Sequence, residues 1–437
     1  MSRRSRPSIV GLIAATATAA FAASPALAGW GPVLQPAASG NASKAALSVN
    51  GRGAVAAAWL QAYGRTEVVR AFATTPGRRP AVRTLRRVRD RSIVGLTTVL
   101  DARGELTVAW VERAATNGLL HGPITVRAAF RMPAGRWSPV QVVSRVSAFA
   151  FAEPRLAAAP DGTVALVFNA GIRSAPGMGV AWRTRGRSFG RVGSIPTGRH
   201  GYLQEPSLAI DDTGRAFLAG TAGCDASHSS GVLLTTPAHG RRFGPEHTIA
   251  HAPATHLRFV LTGGRRAIAA WVGAGCSTTE ELSGPVLTTT VVDVAVGTPS
   301  VVSAAESTEP ILAGAPSGGA ELSFTQFGPT SPAGEAVVAR LAHDGAVTAP
   351  ARPPAGVAAV SADPAGDQLV VPARPAGSGP PATVSARPAS ADPVEAAPLL
   401  GPSFFTTASA TDGPALAAAR PGGRALRIAV WRNVATP

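Results

Sequence analysis

The feature that most constrains this chain is a strand–turn–strand unit that returns about every 51 residues. Each copy has an apolar run, a turn that contains glycine and a second apolar run, as in EPRLAAAPDGTVALVF at residues 153–168. The turn glycines of the copies are Gly53, Gly104, Gly162, Gly214, Gly264, Gly319, Gly366 and Gly413. Repeats of this length that cannot bury their own apolar face are typical of propellers and solenoids.

Each unit continues with a third and a fourth apolar segment, such as ITVRAAFRM and RWSPVQVVS in the second unit. No unit offers the roughly ten residues of helical periodicity, free of Gly and Pro, that a helical repeat requires. We therefore predict an all-β fold, a β-propeller of four-stranded blades with eight blades favoured. Seven blades are the alternative, in which the Pro- and Ala-rich residues 348–402 form an irregular linker.

The two ends of the chain supply a separate argument about closure of the ring. The last unit has three strand-like segments and no fourth, whereas GWGPVLQPA at residues 29–37 has the pattern of a fourth strand. We predict that this N-terminal strand completes the last blade, which removes an exposed sheet edge. Residues 29–437 are then a single β-propeller domain.

The first 28 residues are predicted to be a secretory signal peptide. Basic residues Arg3, Arg4 and Arg6 precede an apolar stretch at residues 9–23, and Ala-Leu-Ala at residues 26–28 suits cleavage. Arg6 stands where a twin-arginine signal usually carries an aromatic residue, so the general secretory route is favoured. No later stretch reaches the ~20 apolar residues of a membrane span. We expect a secreted protein, extracellular or in the cell envelope, and a monomer.

The chain is strongly basic, with a formal net charge of +16 and Lys44 as its one lysine. A high-GC genome produces such an arginine bias without any functional cause, and an anionic surface polymer is the alternative explanation. Nucleic acid is not expected as a partner, because the chain has two tyrosines and little aromatic surface for stacking.

The densest basic run, GRRPAVRTLRRVRDRS at residues 77–92, overlaps the predicted fourth strand of the first unit. Its guanidinium groups are expected at the outer rim. They either bind an anionic partner bidentately or prevent edge-to-edge pairing of sheets. The candidate residues of this patch are Arg78, Arg79, Arg83, Arg86, Arg87, Arg89 and Arg91.

A candidate binding site lies where the first strand of each unit begins. Glu153, Glu205 and Glu309 stand at equivalent positions before a proline, and His256 lies one residue past the position in the fifth unit. Together with Tyr202, these side chains are predicted to surround the channel mouth and to bind a sugar or a protein. The alternative is that Glu-Pro begins a strand at a solvated rim.

Neither a metal site nor a cofactor is predicted. Six of the eight histidines lie in or beside the fourth unit, but their spacing fits no recognised ligand pattern. The chain has no Gly-x-Ser-x-Gly elbow, no His-Glu-x-x-His motif and no P-loop. The only cysteines, Cys224 and Cys276, follow corresponding second strands in neighbouring units, and we predict a disulfide between them.

The exported setting, the repeat length and the Pro-Asp-Gly turn resemble bacterial sialidase-like and TolB-like β-propellers over nearly the whole mature chain. For a sialidase the resemblance implies a tyrosine nucleophile, an arginine cluster and several Ser-x-Asp-x-Gly-x-Thr-Trp boxes. The chain has no such box, and Tyr63 and Tyr202 are its only tyrosines. We therefore expect a non-enzymatic binding propeller, with a sialidase-like glycoside hydrolase and a structural envelope scaffold as alternatives.

Overall fold

The structure is a computed structural model. It describes residues 29–30, 41–50, 52–75, 78–116, 119–146, 154–170, 177–197, 203–223, 229–251, 253–263, 265–274, 283–314, 319–328, 331–347, 357–362, 368–372, 384–387, 395–397, 406–409, 415–422 and 425–432.

Over the described residues every regular element is a β-strand, and the predicted all-β class is confirmed. The first strand that the structure describes is the short strand β1 (Gly29–Trp30). Sheet 1 contains β2 (Asn41–Val49), β3 (Val55–Tyr63), β4 (Thr66–Thr74) and β5 (Arg83–Arg89). Sheet 2 contains β6 (Arg91–Leu100), β7 (Leu106–Thr116), β8 (Leu119–Arg131) and β9 (Gln141–Val146). Sheet 3 contains β10 (Arg155–Ala158), β11 (Val164–Asn169), β12 (Met178–Arg183) and β13 (Gly193–Ile195).

The remaining strands continue the same scheme. Sheet 4 contains β14 (Leu203–Ile210), β15 (Ala216–Ala222), β16 (Ser230–Thr235) and β17 (His247–Ala250). Sheets 5 and 6 are formed by β18 (Thr255–Gly263), β19 (Arg266–Val272), β20 (Gly284–Val292), β21 (Ala295–Val296), β22 (Ser300–Gly314), β23 (Ala320–Gly328) and β24 (Ser331–Leu341). Sheet 7 contains β25 (Val357–Ala362), β26 (Gln368–Pro372), β27 (Val384–Arg387) and β28 (Glu395–Ala397). The last three strands are β29 (Thr406–Ser409), β30 (Ala415–Gly422) and β31 (Ala425–Arg432), and they form sheet 8 together with β1.

Strands of one sheet pair antiparallel, and in sheets 1 to 4 and in sheet 7 they follow chain order, so each of these sheets is an up-and-down meander. This four-stranded arrangement is the one predicted for a blade. Sheets 5 and 6 are continuous because β22 is long: its first half pairs with β20 and its second half with β23. Sheet 8 has the order β1-β31-β30-β29, in which Gly29 pairs with Arg432 and Trp30 with Trp431.

The turn between the first and second strands forms as the sequence predicts. Gly104 has a φ of 85° and Gly214 a φ of 73°, a conformation that costs other residues energy because of their Cβ atom. Asp101 and Asp211 each use one carboxylate oxygen to accept backbone N–H groups two and four residues later. These side chains replace the backbone partners that a tight turn leaves unpaired.

The core lies between neighbouring sheets, where the large apolar side chains of the second strands meet. Trp59 and Trp110 are fully buried, and Trp59 packs edge-to-face on Phe72 with ring centroids 6.2 Å apart. Trp182 stacks with Phe243, which lies between β16 and β17. The first strands also contact one another in succession, from β2 through β6, β10, β14, β18, β22 and β25 to β29, and β29 contacts β2.

Two expectations need correction. Residues 348–402 are not an irregular stretch throughout, because the described parts form the four strands of sheet 7. In addition, two members of the arginine run do not lie at the outer rim. The side chain of Arg86 turns towards sheet 2, where Nε lies 3.0 Å from Glu112 Oε1, and Arg91 begins β6, the first strand of sheet 2.

Candidate functional site

The first strands share one irregularity near their N-terminal ends. In six of them, over the residues that the structure describes, one extra residue is inserted relative to the paired second strand. The inserted positions correspond to Lys44, Val94, Glu205, His256, Glu309 and Ala358. Such β-bulges bend a strand and re-aim a side chain, and here they recur at one level of the repeat. We call these six residues the rim positions.

Three of the rim positions hold a backbone conformation that is unusual for their residue type. Lys44, Glu205 and His256 have φ values of 42°, 45° and 51°. Left-handed backbone at a residue with a Cβ costs on the order of 1–2 kcal/mol. Opposite the bulge at Glu205 stands Gly220, where a Cβ atom would lie 2.9 Å from the Cβ of Leu203. The close approach of the two strands therefore requires glycine at that position.

Glu205, His256 and Arg258 meet across the boundary between sheets 4 and 5. Arg258 donates a hydrogen bond from Nη1 to Glu205 Oε2 over 2.6 Å. His256 Nδ1 lies 3.2 Å from the same oxygen. The three side chains are partly exposed, at 43%, 24% and 31% for Glu205, His256 and Arg258. The cluster is therefore accessible to a ligand while its groups hold one another in place.

The charge state of the cluster follows from these contacts. The hydrogen bond with His256 lowers the pKa of the Glu205 carboxyl from 4.5 to about 2, and the positive charge of Arg258 acts in the same direction. Burial opposes both effects without outweighing them. Glu205 is therefore ionised at neutral pH, and its negative charge is compensated locally by Arg258.

Neighbouring sheets are joined at the rim by further hydrogen bonds to bulged backbone. Arg155 of sheet 3 donates from Nε to the carbonyl oxygen of Pro206 over 2.9 Å. Lys44 of sheet 1 donates from Nζ to the carbonyl oxygen of Val94 in sheet 2 over 3.5 Å. Sheets 3, 4 and 5 thus converge on the bulge at Glu205.

The predicted site residues have different outcomes. Glu205 and His256 are in contact, and their role in binding stays a prediction. Glu309 occupies the equivalent position in β22, where its backbone is described and its side chain is not. Glu153 and Tyr202 lie outside the described residues, as do Cys224 and Cys276, so their roles and the disulfide remain predictions.

Sequence analysis missed Arg258, which completes the cluster, and Arg155, which donates to the carbonyl oxygen of Pro206 beside it. Both arginines stand two residues after the position of interest, in Glu153-Pro154-Arg155 and His256-Leu257-Arg258. This shared offset is the signal that would have found them.

Other charged groups are buried between sheets and are not accessible in the same way. Glu112 is fully buried and forms ion pairs with Arg86 at 3.0 Å and Arg127 at 2.8 Å. Burial raises the pKa of Glu112, but hydrogen bonds with Trp110, Arg127 and Arg86 lower it further than burial raises it. These contacts join sheet 1 to sheet 2.

A second buried ion pair joins sheets 2 and 3. The guanidinium of Arg183 pairs with the carboxylate of Glu105 and lies over the ring of Phe130, 4.7 Å from its centroid. Its Nε also donates to Thr107 Oγ1 over 3.1 Å. Because Arg183 and Glu105 are almost completely buried, this group fixes the packing of the two sheets.

The described residues provide neither a metal centre nor a membrane helix. Among them, no three His, Cys, Asp or Glu side chains are grouped so that they could hold a metal ion. No helix that is long and apolar enough to span a membrane occurs in the part of the chain that the structure describes.

Comparison with known proteins gives no family. No protein-family model matches the chain, and no curated protein matches it. Among solved structures it is similar to a prolyl endopeptidase, with 13% identity, a TM-score of 0.48, and coverage of 87% of this chain and 53% of the other. The chain thus spans about half the length of that enzyme.

For two further solved structures, the match covers a larger share of the other protein. One is an intramolecular trans-sialidase from Ruminococcus gnavus, with 8% identity, a TM-score of 0.39, and coverage of 67% of this chain and 91% of the other. The other is an ulvan lyase, with 9% identity, a TM-score of 0.48, and coverage of 74% and 89%. All three TM-scores lie below 0.5.

Proposed function

We propose that the sheets are the eight blades of a β-propeller that β1 closes. Two observations support this arrangement: the pairing of β1 with β31, and the succession of contacts that leads from β2 through every first strand back to β2. In such a ring the first strands line the central channel. The rim positions then surround one mouth of the channel.

We infer that this mouth binds a carbohydrate and that the protein is a non-enzymatic binding module. The observation that carries the proposal is the exposed cluster of Glu205, His256 and Arg258 at bulged strand ends. Glu205 uses Oε2 for both contacts, and among the described residues none donates to Oε1, which can accept a hydrogen bond from a ligand. Arg258 has further N–H donors that no hydrogen bond to Glu205 occupies.

The chemistry of the cluster favours a polyhydroxylated ligand. Because Arg258 already compensates the negative charge of Glu205, the cluster does not require a charged ligand. Saccharide hydroxyls both donate and accept hydrogen bonds, which matches the adjacent carboxylate, imidazole and guanidinium. Protein-binding surfaces are enriched in large aromatic side chains at their centre. The rim positions of sheets 1, 2, 4 and 5 carry none.

The electrostatics of Glu205 argue against one catalytic role, that of the general acid of a glycosidase. A glycosidase requires one carboxyl whose pKa is raised, so that it stays protonated and protonates the leaving group. The pKa of Glu205 is instead lowered to about 2. This carboxylate is suited to accepting hydrogen bonds from a ligand throughout the physiological pH range.

Export belongs to the same proposal. The basic, apolar and small-residue segments at residues 1–28 have the order of a signal peptide. A secreted or envelope-bound propeller meets extracellular glycans, which fits a carbohydrate ligand. The carbohydrates themselves are to be identified by experiment.

A glycan and polysaccharide array tests the function. Residues 29–437 are compared with a rim variant that carries Glu205→Gln, His256→Ala and Arg258→Ala, and with a control that carries Glu306→Gln and Arg136→Ala. Glu306 and Arg136 are exposed and lie outside the cluster. We expect at least one saccharide that the wild type and the control retain and the rim variant loses. An array with no retained saccharide, or with equal retention by all three, overturns the proposal.

A further inference from the structure

The outer edge of sheet 1 is a second charged surface. It is formed by the last strand of the sheet, whereas the rim position of this sheet is on the first strand. Strand β5 is the last strand of the order β2-β3-β4-β5, so one of its sides faces away from the sheet. Arg83, Arg87 and Arg89 are exposed on β5, and Arg78 and Arg79 are exposed immediately before it. We call these five residues the edge arginines.

The side chains of β5 alternate between the two faces of the strand. Arg86 and Val88 face sheet 2, since Arg86 pairs with Glu112 and Val88 is buried. Arg87 and Arg89 therefore project from the opposite face, because successive residues of a strand alternate. Residues two apart in a strand are separated by about 7 Å along the chain. Arg87 and Arg89 thus place two positive charges on the same face of β5.

Little negative charge compensates this surface. Asp90 lies 2.6 Å from Arg65 and 3.8 Å from Arg89. Arg78, Arg79, Arg83 and Arg87 form no ion pair with any residue that the structure describes. Charged side chains on an edge strand also protect it against pairing with another sheet. Arg78 and Arg79 precede β5, so protection of that edge does not account for them.

We propose that the edge arginines bind a linear polyanion that carries phosphate or carboxylate groups along its length, as cell-surface polymers do. A guanidinium stays charged at all physiological pH values and binds phosphate or carboxylate through two parallel N–H donors. An extended polymer lying along β5 meets the charges in succession. This binding is independent of the carbohydrate site, because it uses other residues at the opposite end of the sheet order.

Binding to two polymers tests the proposal. The probes are long-chain polyphosphate and polygalacturonate, which separate phosphate from carboxylate recognition, and a DNA duplex is the third probe. The edge variant carries Arg78→Gln, Arg79→Gln, Arg83→Gln and Arg87→Gln. The control carries Arg103→Gln, Arg136→Gln, Arg187→Gln and Arg191→Gln, which are exposed arginines outside sheet 1. Both variants lose four positive charges, so they have the same net charge.

The expected result is specific to the edge. At low salt the edge variant binds at least one of the two polymers about 10-fold or more weakly, whereas the control binds it within about 3-fold of the wild type. The slope of log affinity against log salt becomes shallower by about 0.7 for each anionic group of the polymer that the edge arginines no longer neutralise. A third variant with Lys at the four edge positions keeps the charge and part of the affinity, which separates the removal of charge from a failure to fold.

Three results overturn the proposal. The first is that the wild type binds neither polymer. The second is that the edge variant and the control lose polymer affinity equally, which is an effect of net charge alone. The third is that the DNA duplex binds more tightly than both polymers and that the edge variant loses as much affinity for DNA as for the polymers. None of these results bears on saccharide retention by the rim variant, so the two proposals fail separately.

Discussion

Arg258 Nη1 lies 2.6 Å from Glu205 Oε2, although the two residues belong to different sheets and are 53 positions apart in the chain. The contact exists because both residues stand at or beside a β-bulge at the same level of consecutive repeats. A repeat of nearly constant length thus brings equivalent positions side by side. The polar cluster at the rim is a direct consequence of the repeat.

The first prediction concerns pH and the pair of Glu205 with His256. The pKa of Glu205 is lower in the folded chain, so its contribution to stability is present above its ordinary value of 4.5 and is lost as pH falls towards about 2. Glu205→Gln is expected to be less stable than the wild type at pH 7, by under about 1 kcal/mol because the pair is partly exposed. The difference shrinks between pH 4.5 and about 2.

Denaturant unfolding at several pH values measures this difference. Glu306→Gln is the control, because Glu306 is exposed and forms no ion pair with any residue that the structure describes. A difference between Glu205→Gln and the wild type that stays constant down to pH 2, or that grows, contradicts the ionic account of the cluster.

The second prediction concerns backbone strain at Lys44, whose φ is 42°. Glycine adopts this conformation without a Cβ penalty, so Lys44→Gly is expected to be more stable than Lys44→Ala by about 1 kcal/mol. Ala46 lies two residues further along the same strand, and Ala46→Gly is expected to lose about 0.5–1 kcal/mol. Thermal or denaturant unfolding of the three variants measures these differences in stability. Equal stability of Lys44→Gly and Lys44→Ala argues against the bulge.

The third prediction concerns the buried carboxylate of Glu112. Glu112→Ala leaves Arg127 and Arg86 without their acceptor between sheets 1 and 2, and loss of one member of a buried ion pair costs about 3 kcal/mol. The midpoint of urea unfolding should fall accordingly, whereas Glu306→Ala should change the free energy of unfolding by under about 0.5 kcal/mol. A loss below about 1 kcal/mol for Glu112→Ala would show that water replaces the missing carboxylate.

The fourth prediction concerns closure by β1. Deletion of residues 29–38 removes the strand that pairs with β31 and leaves the edge of β31 exposed. Compared with residues 29–437, the shortened chain is expected to melt at a lower temperature and to self-associate as its concentration rises. Light scattering and calorimetry measure the two effects. An unchanged melting temperature and a monomeric shortened chain would contradict closure.

The strand order could be predicted from the sequence because its signals are local. A glycine with positive φ, such as Gly104, and an aspartate three residues before it define the turn wherever it occurs. Apolar runs on either side define the strands. The four-stranded meanders follow from the repeat of these signals, and the four strands that the structure describes between residues 357 and 397 follow the same scheme.

The bulges could not be predicted in the same way. One inserted residue shifts the alternation of apolar and polar residues only at the end of the strand, where few residues remain to show it. Positive φ values are usually signalled by glycine, but Lys44, Glu205 and His256 are not glycines. The inward direction of Arg86 was also missed, because its partner Glu112 lies in the next repeat. Contacts between repeats depend on how the sheets pack, and the sequence of one repeat does not contain that information.

The most direct test of the central claim is hydrogen–deuterium exchange of residues 29–437 with and without the saccharide that the array retains most strongly. Amides at a bulge lie outside the regular ladder and are expected to exchange in the free protein, so a ligand at the mouth protects them. We predict added protection in peptides covering residues 203–209 and 254–260, together with the rim positions of neighbouring sheets. Protection confined to the outer strands, or to the turns at Gly104 and Gly214, would contradict binding at the rim.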